Sequence, residues 1–155
     1  MKSITSETLA DVLDGKYSDV VGNMTIVDCR YPYEYEGGHI RTGENIYTKQ
    51  AIMDKFMLSS QHNYIAQDGK RNILVFHCEF SSERGPKLAR FLRNKDRDAH
   101  TENYPSLAYP EVYLLHNGYK EFFAKRKVNF WKYLSISLHS CKFWIEVVIH
   151  AVNKT

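Results

Sequence analysis

Two hydrophobic patterns alternate along this chain. Leu9, Val12 and Leu13 recur at helical spacing; Thr5 or Ser6 can cap the start and Gly15 can end it, which predicts a helix within Ser3–Gly15. Lys49–Leu58 reads the same way, with Ile52 and Phe56 inward and Met53 and Met57 beside them. A third helix is predicted from Lys87 to about Asp98 with Leu88, Phe91 and Leu92 as its stripe, and Pro86 suits its first turn, where a missing N–H costs nothing. The second pattern is the short apolar run. Met24–Cys29, Ile73–Phe76 and Glu111–Leu115 read as buried strands, Glu44–Ile46 as a shorter one, and the helical material between them implies parallel pairing. Asn117-Gly118 turns the chain into a last helix, Tyr119–Ala124.

Between these elements lie three connectors. Tyr31–Ile40 is a loop with a helical turn after Pro32 and a break at Gly37-Gly38. Residues 59–72 are polar, with a turn at Asp68-Gly69, and His100–Pro110 is irregular. Asp28, Arg30, Glu34 and His39 are expected to form one buried hydrogen-bonded network that fixes the Tyr31 loop, because polar groups at a strand end need partners. A catalytic role for the same four residues is the alternative.

Composition adds bounds. The 155 residues suffice for one domain with a substantial core. A net charge of +3 is too mild to point to nucleic acid and is compatible with an acidic or phosphorylated protein. Three cysteines do not make a disulfide framework and suit a reducing compartment. Met1–Ala10 has no apolar core of a secretory signal. After Lys125 the chain becomes rich in apolar and aromatic residues, but Lys132, Lys142 and Glu146 interrupt it, so no membrane span is expected. That tail would be a covering helix or a partner-binding segment.

The chemistry concentrates at 73–88: an apolar run, His77 and Cys78, five loop residues, Arg84, then Gly85-Pro86 opening a basic helix. A loop between a strand and a helix start can turn its backbone N–H groups and the helix's partial positive charge on a tetrahedral oxyanion. Arg84 would add a planar fork matching two phosphate oxygens, and a thiolate at Cys78 would be the nucleophile. The phosphate-binding loop is therefore Cys78, Glu79, Phe80, Ser81, Ser82, Glu83 and Arg84. Five intervening residues leave room for a phosphate, whereas a loop one residue shorter would close around sulfur. Glu79 and Glu83 are the nearest proton donors for a leaving hydroxyl, and sequence does not choose between them. His77 is read as orienting the loop. No metal or cofactor is required. Cys29 ends the neighbouring strand at the same edge as Cys78; strands about 4.8 Å apart bring such residues within disulfide reach. Without more, Cys29 reads as a small buried hydrophobe. The outer face of the predicted 87–98 helix carries Lys87, Arg90, Arg93, Lys95 and Arg97, either a solvated face or a docking patch.

His77-Cys78-Glu79-Phe80-Ser81-Ser82-Glu83-Arg84-Gly85-Pro86 closely resembles the signature of the M-phase inducer phosphatases. Asp28-Cys29-Arg30-Tyr31-Pro32-Tyr33-Glu34-Tyr35 with Gly37-Gly38-His39-Ile40 matches a second family motif. Tyr109-Pro110-Glu111 and Gly118-Tyr119-Lys120-Glu121-Phe122-Phe123 match a third, all in family order from Ile4 to Phe123. The resemblance implies a rhodanese-like α/β fold with a mostly parallel sheet flanked by helices. It implies a dual-specificity protein phosphatase that removes inhibitory phosphothreonine and phosphotyrosine from cyclin-dependent kinase–cyclin complexes and promotes mitotic entry, as a monomer in nucleus and cytoplasm. It makes Cys78 the nucleophile and Arg84 the phosphate-binding arginine. Cys29 becomes the redox partner that traps oxidised Cys78, Arg93 and Arg97 become substrate-docking residues, and either glutamate can contribute to acid catalysis. Residues 1–124 would be the catalytic domain and 125–155 a tail that departs from the family. Lys87 stands where the family usually has arginine, and Ala89 where it often has cysteine. Two other readings stand beside this one: a sulfurtransferase or arsenate reductase on the same fold, and a non-catalytic phosphoprotein-binding form.

Overall fold

A five-stranded sheet carries the chain. In the computed structural model, which describes residues 1–58, 69–103 and 105–126 and the backbone of 134–135, strands β1 (Lys2–Ile4), β2 (Val21–Asp28), β4 (Gly43–Asn45), β5 (Arg71–His77) and β6 (Val112–Leu115) pair in the order β1-β6-β5-β2-β4, all parallel. The two strands that lead into the cysteines are neighbours, in a register that sets Asp28 opposite His77. A separate two-residue pair joins β3 (His39–Ile40) to β7 (Leu134–Ser135), antiparallel.

Consecutive strand residues point to opposite faces, so the sheet builds two cores. Val27, Leu74 and Phe76 pack with Ile52, Phe56, Leu88 and Leu92, which brings α3 (Lys49–Ile52) and α4 (Arg84–Ala99) onto one face. Ile26 and Val75 pack with Leu9, Ala10, Tyr119 and Phe122, which brings α1 (Ser6–Leu13) and α5 (Gly118–Arg126) onto the other. Phe56, Phe76, Phe122, Leu9 and Leu92 are fully buried; each such side chain contributes about 1.5–3 kcal/mol of hydrophobic stabilisation. Both faces being covered explains why the strands read as continuous apolar runs.

The helix starts follow local chemistry. Thr5 Oγ1 accepts from Thr8 N–H and opens α1; Thr48 Oγ1 accepts from Ala51 N–H and opens α3. The structure also differs from the sequence reading. Ser3 and Ile4 belong to an edge strand, because β1 gains main-chain partners from β6 that no local pattern announces. Met53–Leu58 winds as a π-helical turn after α3. Its inward residues are as expected, since Ile52 and Phe56 are buried either way. Most of the apolar tail, with its covering or partner-binding role, lies outside the described residues, as does the 59–68 part of the polar connector. Among the described residues no helix is long and apolar enough to cross a membrane.

Candidate active site

Cys78 follows the last residue of β5, and Cys29 follows the last residue of β2. Cys29 N–H donates to His77 O at 2.8 Å, which continues the ladder to the two thiols. Both cysteines are unlinked and closed from solvent, 3% and 1% exposed. Burial, with the Asp28 and Cys78 charges beside it, pushes the Cys29 thiol well above the ordinary thiol range.

The loop after Cys78 is held from two sides. Tyr119 N–H donates to Cys78 O and Lys120 N–H to Glu79 O, each at 3.0 Å, so the first turn of α5 takes the loop's first two carbonyls. A trans peptide sets its N–H opposite its C=O, so the Glu79 and Phe80 N–H groups point away from α5. Gly118 makes this approach feasible. Its φ is +66°, and a Cβ there would lie 2.5 Å from both carbonyl oxygens. On the other side α4 begins directly at Arg84, and Gly85 packs so closely that a Cβ would be 3.2 Å from the His77 carbonyl carbon. Glu83, at the N-cap position of α4, makes no side-chain cap bond and faces solvent. Ser81 bends the loop with φ of +53°.

Beneath the loop, Arg30 is a buried hub. Its Nε donates to both Asp28 carboxylate oxygens at 3.0 and 3.1 Å, and its Nη2 donates to Asp28 Oδ2 at 2.7 Å and to Gly38 O at 2.8 Å. Nη1 reaches Glu79 Oε2 at 3.3 Å, and the guanidinium lies 3.8 Å from the Tyr119 ring centroid. Burial alone would raise the Asp28 carboxyl; His77 and Arg30 against it reverse that, and it lies below the usual range. Burial lowers the His77 imidazole although Asp28 Oδ2, 3.7 Å from its Nε2, favours the charged ring.

The expected four-residue network is therefore split. Asp28 and Arg30 form its buried half, while His39 Nδ1 meets Tyr35 O at 3.0 Å. Glu34 belongs elsewhere. It sits in α2 (Pro32–Glu36), accepts Tyr31 N–H at 2.9 Å, and grips Arg84: Nη2 donates to Oε1 at 3.0 Å and Nη1 to Oε2. Arg84 also lies over the Tyr31 ring, 5.1 Å from its centroid. The hydrogen bonds from Arg84 hold the Glu34 carboxyl below the usual range. Sequence spacing hides this pair, 50 residues apart, although Glu34 three residues after the start of a proline-led turn is a capping signal.

Of the residues expected to matter, the structure brings Cys78, Glu79, Arg84 and Cys29 together, and places Glu83 at the exposed rim. Phe80 is also out in solvent, 56% exposed, with Lys120 Nζ 5.0 Å from its ring centroid. Arg93 is not simply an outer-face residue. Its guanidinium donates to Tyr109 O at 2.7 Å and Pro110 O at 3.2 Å, while Arg97 is exposed one turn further on. Fully buried Asp96, unmarked by any motif, accepts from Ala108 and Tyr109 N–H at 2.9 and 3.0 Å and so anchors the same loop.

Comparison with known proteins agrees with this geometry. Residues 8–125 match the model of the rhodanese-like domain. The chain is 59% identical over 130 residues to an M-phase inducer phosphatase of Drosophila melanogaster, covering 79% of this chain and 27% of that protein. It is 50% identical over 125 residues to human M-phase inducer phosphatase 1, covering 81% and 23%. The chain thus spans about a quarter of the length of the curated relatives it matches. A yeast protein tyrosine phosphatase of the rhodanese family superimposes with a TM-score of 0.67 at 19% identity, covering 90% of this chain and 95% of that one. An arsenic–antimony reductase from Leishmania major superimposes with a TM-score of 0.65 at 22% identity, over 88% and 86%. The chain belongs to the rhodanese-like domain family, and within it its close sequence relatives are M-phase inducer phosphatases.

Proposed function

We propose that this chain is the catalytic domain of a cysteine-dependent dual-specificity protein phosphatase. Its substrates are the inhibitory phosphothreonine and phosphotyrosine of cyclin-dependent kinase–cyclin complexes, so that it promotes mitotic entry. It acts as a monomer in nucleus and cytoplasm. The observation that carries the reading is the loop itself: Cys78 at a strand end, five residues, and Arg84 as the first residue of α4, in a chain 59% identical to a protein named M-phase inducer phosphatase.

The chemistry follows from these parts. The Cys78 thiolate attacks phosphorus in line; the S–P bond forms as the P–O bond breaks, and the leaving oxygen takes a proton from a loop glutamate. Water then attacks phosphorus, the S–P bond breaks and phosphate leaves. Arg84 and the loop N–H groups hold the equatorial oxygens while charge shifts. Glu79 is engaged with Arg30 and Glu83 faces solvent, so pH profiles of Glu79→Gln and Glu83→Gln identify the proton donor. Cys29 is the redox partner that traps oxidised Cys78, and Arg97, with Arg93 beside it, receives the kinase. The test is hydrolysis of an aryl phosphate, then of a doubly phosphorylated kinase–cyclin complex, by the wild type and Cys78→Ser. Loss of both activities in the variant is expected; equal hydrolysis by both proteins would reject the reading.

A further inference from the structure

The arginine that is to hold the phosphoryl group is already holding something of the same shape. Both terminal nitrogens of Arg84 are engaged by the two oxygens of the Glu34 carboxylate. A carboxylate offers the fork two coplanar oxygens, as a phosphoryl group does. The pair is neither buried nor a loose surface contact: Arg84 keeps 31% of its side chain exposed and Glu34 19%. A dianion can therefore reach this guanidinium from solvent. The carboxylate is itself fixed, since Glu34 Oε2 also accepts Tyr31 N–H at the start of α2. The ring of Tyr31 lies against the same guanidinium.

We propose that Glu34 is an internal stand-in for the substrate oxyanion, occupying Arg84 in the free protein and competing with any anion that enters the Cys78 loop. The inference rests on reading that loop as an oxyanion site. A phosphoryl group that takes both terminal nitrogens must displace Glu34. One that approaches through Nε and a single terminal nitrogen leaves two anions sharing one guanidinium. In either arrangement the carboxylate charge opposes binding. A protein substrate brings further contacts with which to displace it, whereas free phosphate has only the loop. Glu34 thus favours a phosphoprotein over a bare anion, and its return to Arg84 expels the product phosphate.

An alternative role would have the opposite sign. If Glu34 merely held Arg84 in a useful pose, removing its charge would loosen the guanidinium and weaken anion binding. Titration of the reduced wild-type chain with tungstate, followed calorimetrically, separates the two. Glu34→Gln keeps the side-chain size and removes the charge; its binding of tungstate is expected to tighten by at least fivefold. Glu34→Ala should move in the same direction, and thermal unfolding checks that both variants are folded. Glu44→Gln removes a carboxylate outside the loop, one that pairs with Lys55 at 2.8 Å rather than with Arg84, and should change binding by less than twofold. A gain below fivefold, or weaker binding, in both Glu34 variants overturns the proposal while leaving the oxyanion site intact. A comparable gain in Glu44→Gln overturns it as well, by showing a general field effect. Tungstate binding to none of the proteins overturns the reading of the loop along with it. A second readout is independent of affinity. The terminal Arg84 nitrogens should give distinct, slowly rotating NMR signals in the free wild type that merge in Glu34→Ala; if they are already merged in the wild type, the carboxylate does not hold the fork.

Discussion

Arg30 and Glu79 meet across the floor of the site, with Nη1 3.3 Å from Oε2, while the rest of the Arg30 guanidinium is spent on Asp28 and Gly38 O. One buried cation thus ties a loop carboxylate to the end of β2. Removing it would leave the Asp28 carboxylate buried without its cation. Arg30→Met is therefore expected to cost about 3–5 kcal/mol in urea unfolding, the scale for breaking a buried ion pair from one side. Arg30→Lys should recover little, because an ammonium cannot supply the fork. Asp28→Asn in the Arg30→Met background should recover part of the loss.

Gly118 tests how the loop is held. In Gly118→Ala the new methyl group would stand 2.5 Å from the Cys78 and Glu79 oxygens, so these carbonyls must shift. A displacement near 1 Å at a reacting centre costs about 100-fold in rate, and kcat/KM on an aryl phosphate is expected to fall on that scale. Gly15→Ala is the control. Its φ is +78° with no atom within 4 Å of the added carbon, so it should lower stability and leave turnover unchanged.

The histidines place the onset of acid destabilisation. Burial lowers His77 in the folded chain, and burial also lowers His39, whereas the unfolded chain titrates histidine at about 6.5. Below that pH the unfolded state binds more protons than the folded one, so stability falls as pH falls, by up to about 1.4 kcal/mol per unit for each ring. Glu34 and Asp28, held below their usual range, add a further loss only through the carboxylate window. Denaturant unfolding between pH 8 and 5 should show the first slope, and His77→Asn should flatten it. A wild-type profile flat over this range would refute the lowering of His77 by burial.

Oxidation should be limited by Cys29. Peroxide converts the Cys78 thiolate to a sulfenic acid; the Cys29 thiolate then attacks that sulfur and expels hydroxide. Since Cys29 titrates well above the ordinary range, its thiolate fraction climbs with pH. At saturating peroxide, peptide mapping should find the Cys29–Cys78 link forming faster at each step from pH 7 to pH 9, without a plateau. A rate independent of pH, or only sulfinic acid at Cys78, would exclude this route.

The sheet and the adjacency of Cys29 and Cys78 were readable from sequence because two apolar runs that end in cysteine, separated by helical material, suggest neighbouring parallel strands, as β2 and β5 are. The Asn117-Gly118 turn was readable too, although the reason for the glycine, two carbonyls at its back, was not. What escaped depends on distant partners. Lys2–Ile4 carries no strand pattern of its own, and β6 supplies one. Glu34 reads as a member of the Asp28 group because polar groups near a strand end need partners; α2 instead turns its carboxylate toward Arg84. Asp96 carries no signal of its own in the sequence, yet it is fully buried and fixes the backbone at Ala108 and Tyr109.

The bond from Cys29 N–H to His77 O joins two strands that each have a further strand on the outer side. Edges and loops fray before interior ladders do, so this amide should exchange its hydrogen only when the whole domain opens. The spacing of the two cysteine backbones is therefore set by the last part of the molecule to melt. Warming that loosens the rim of the site, or a partner that remodels it, leaves the two strand ends that carry the thiols at their spacing.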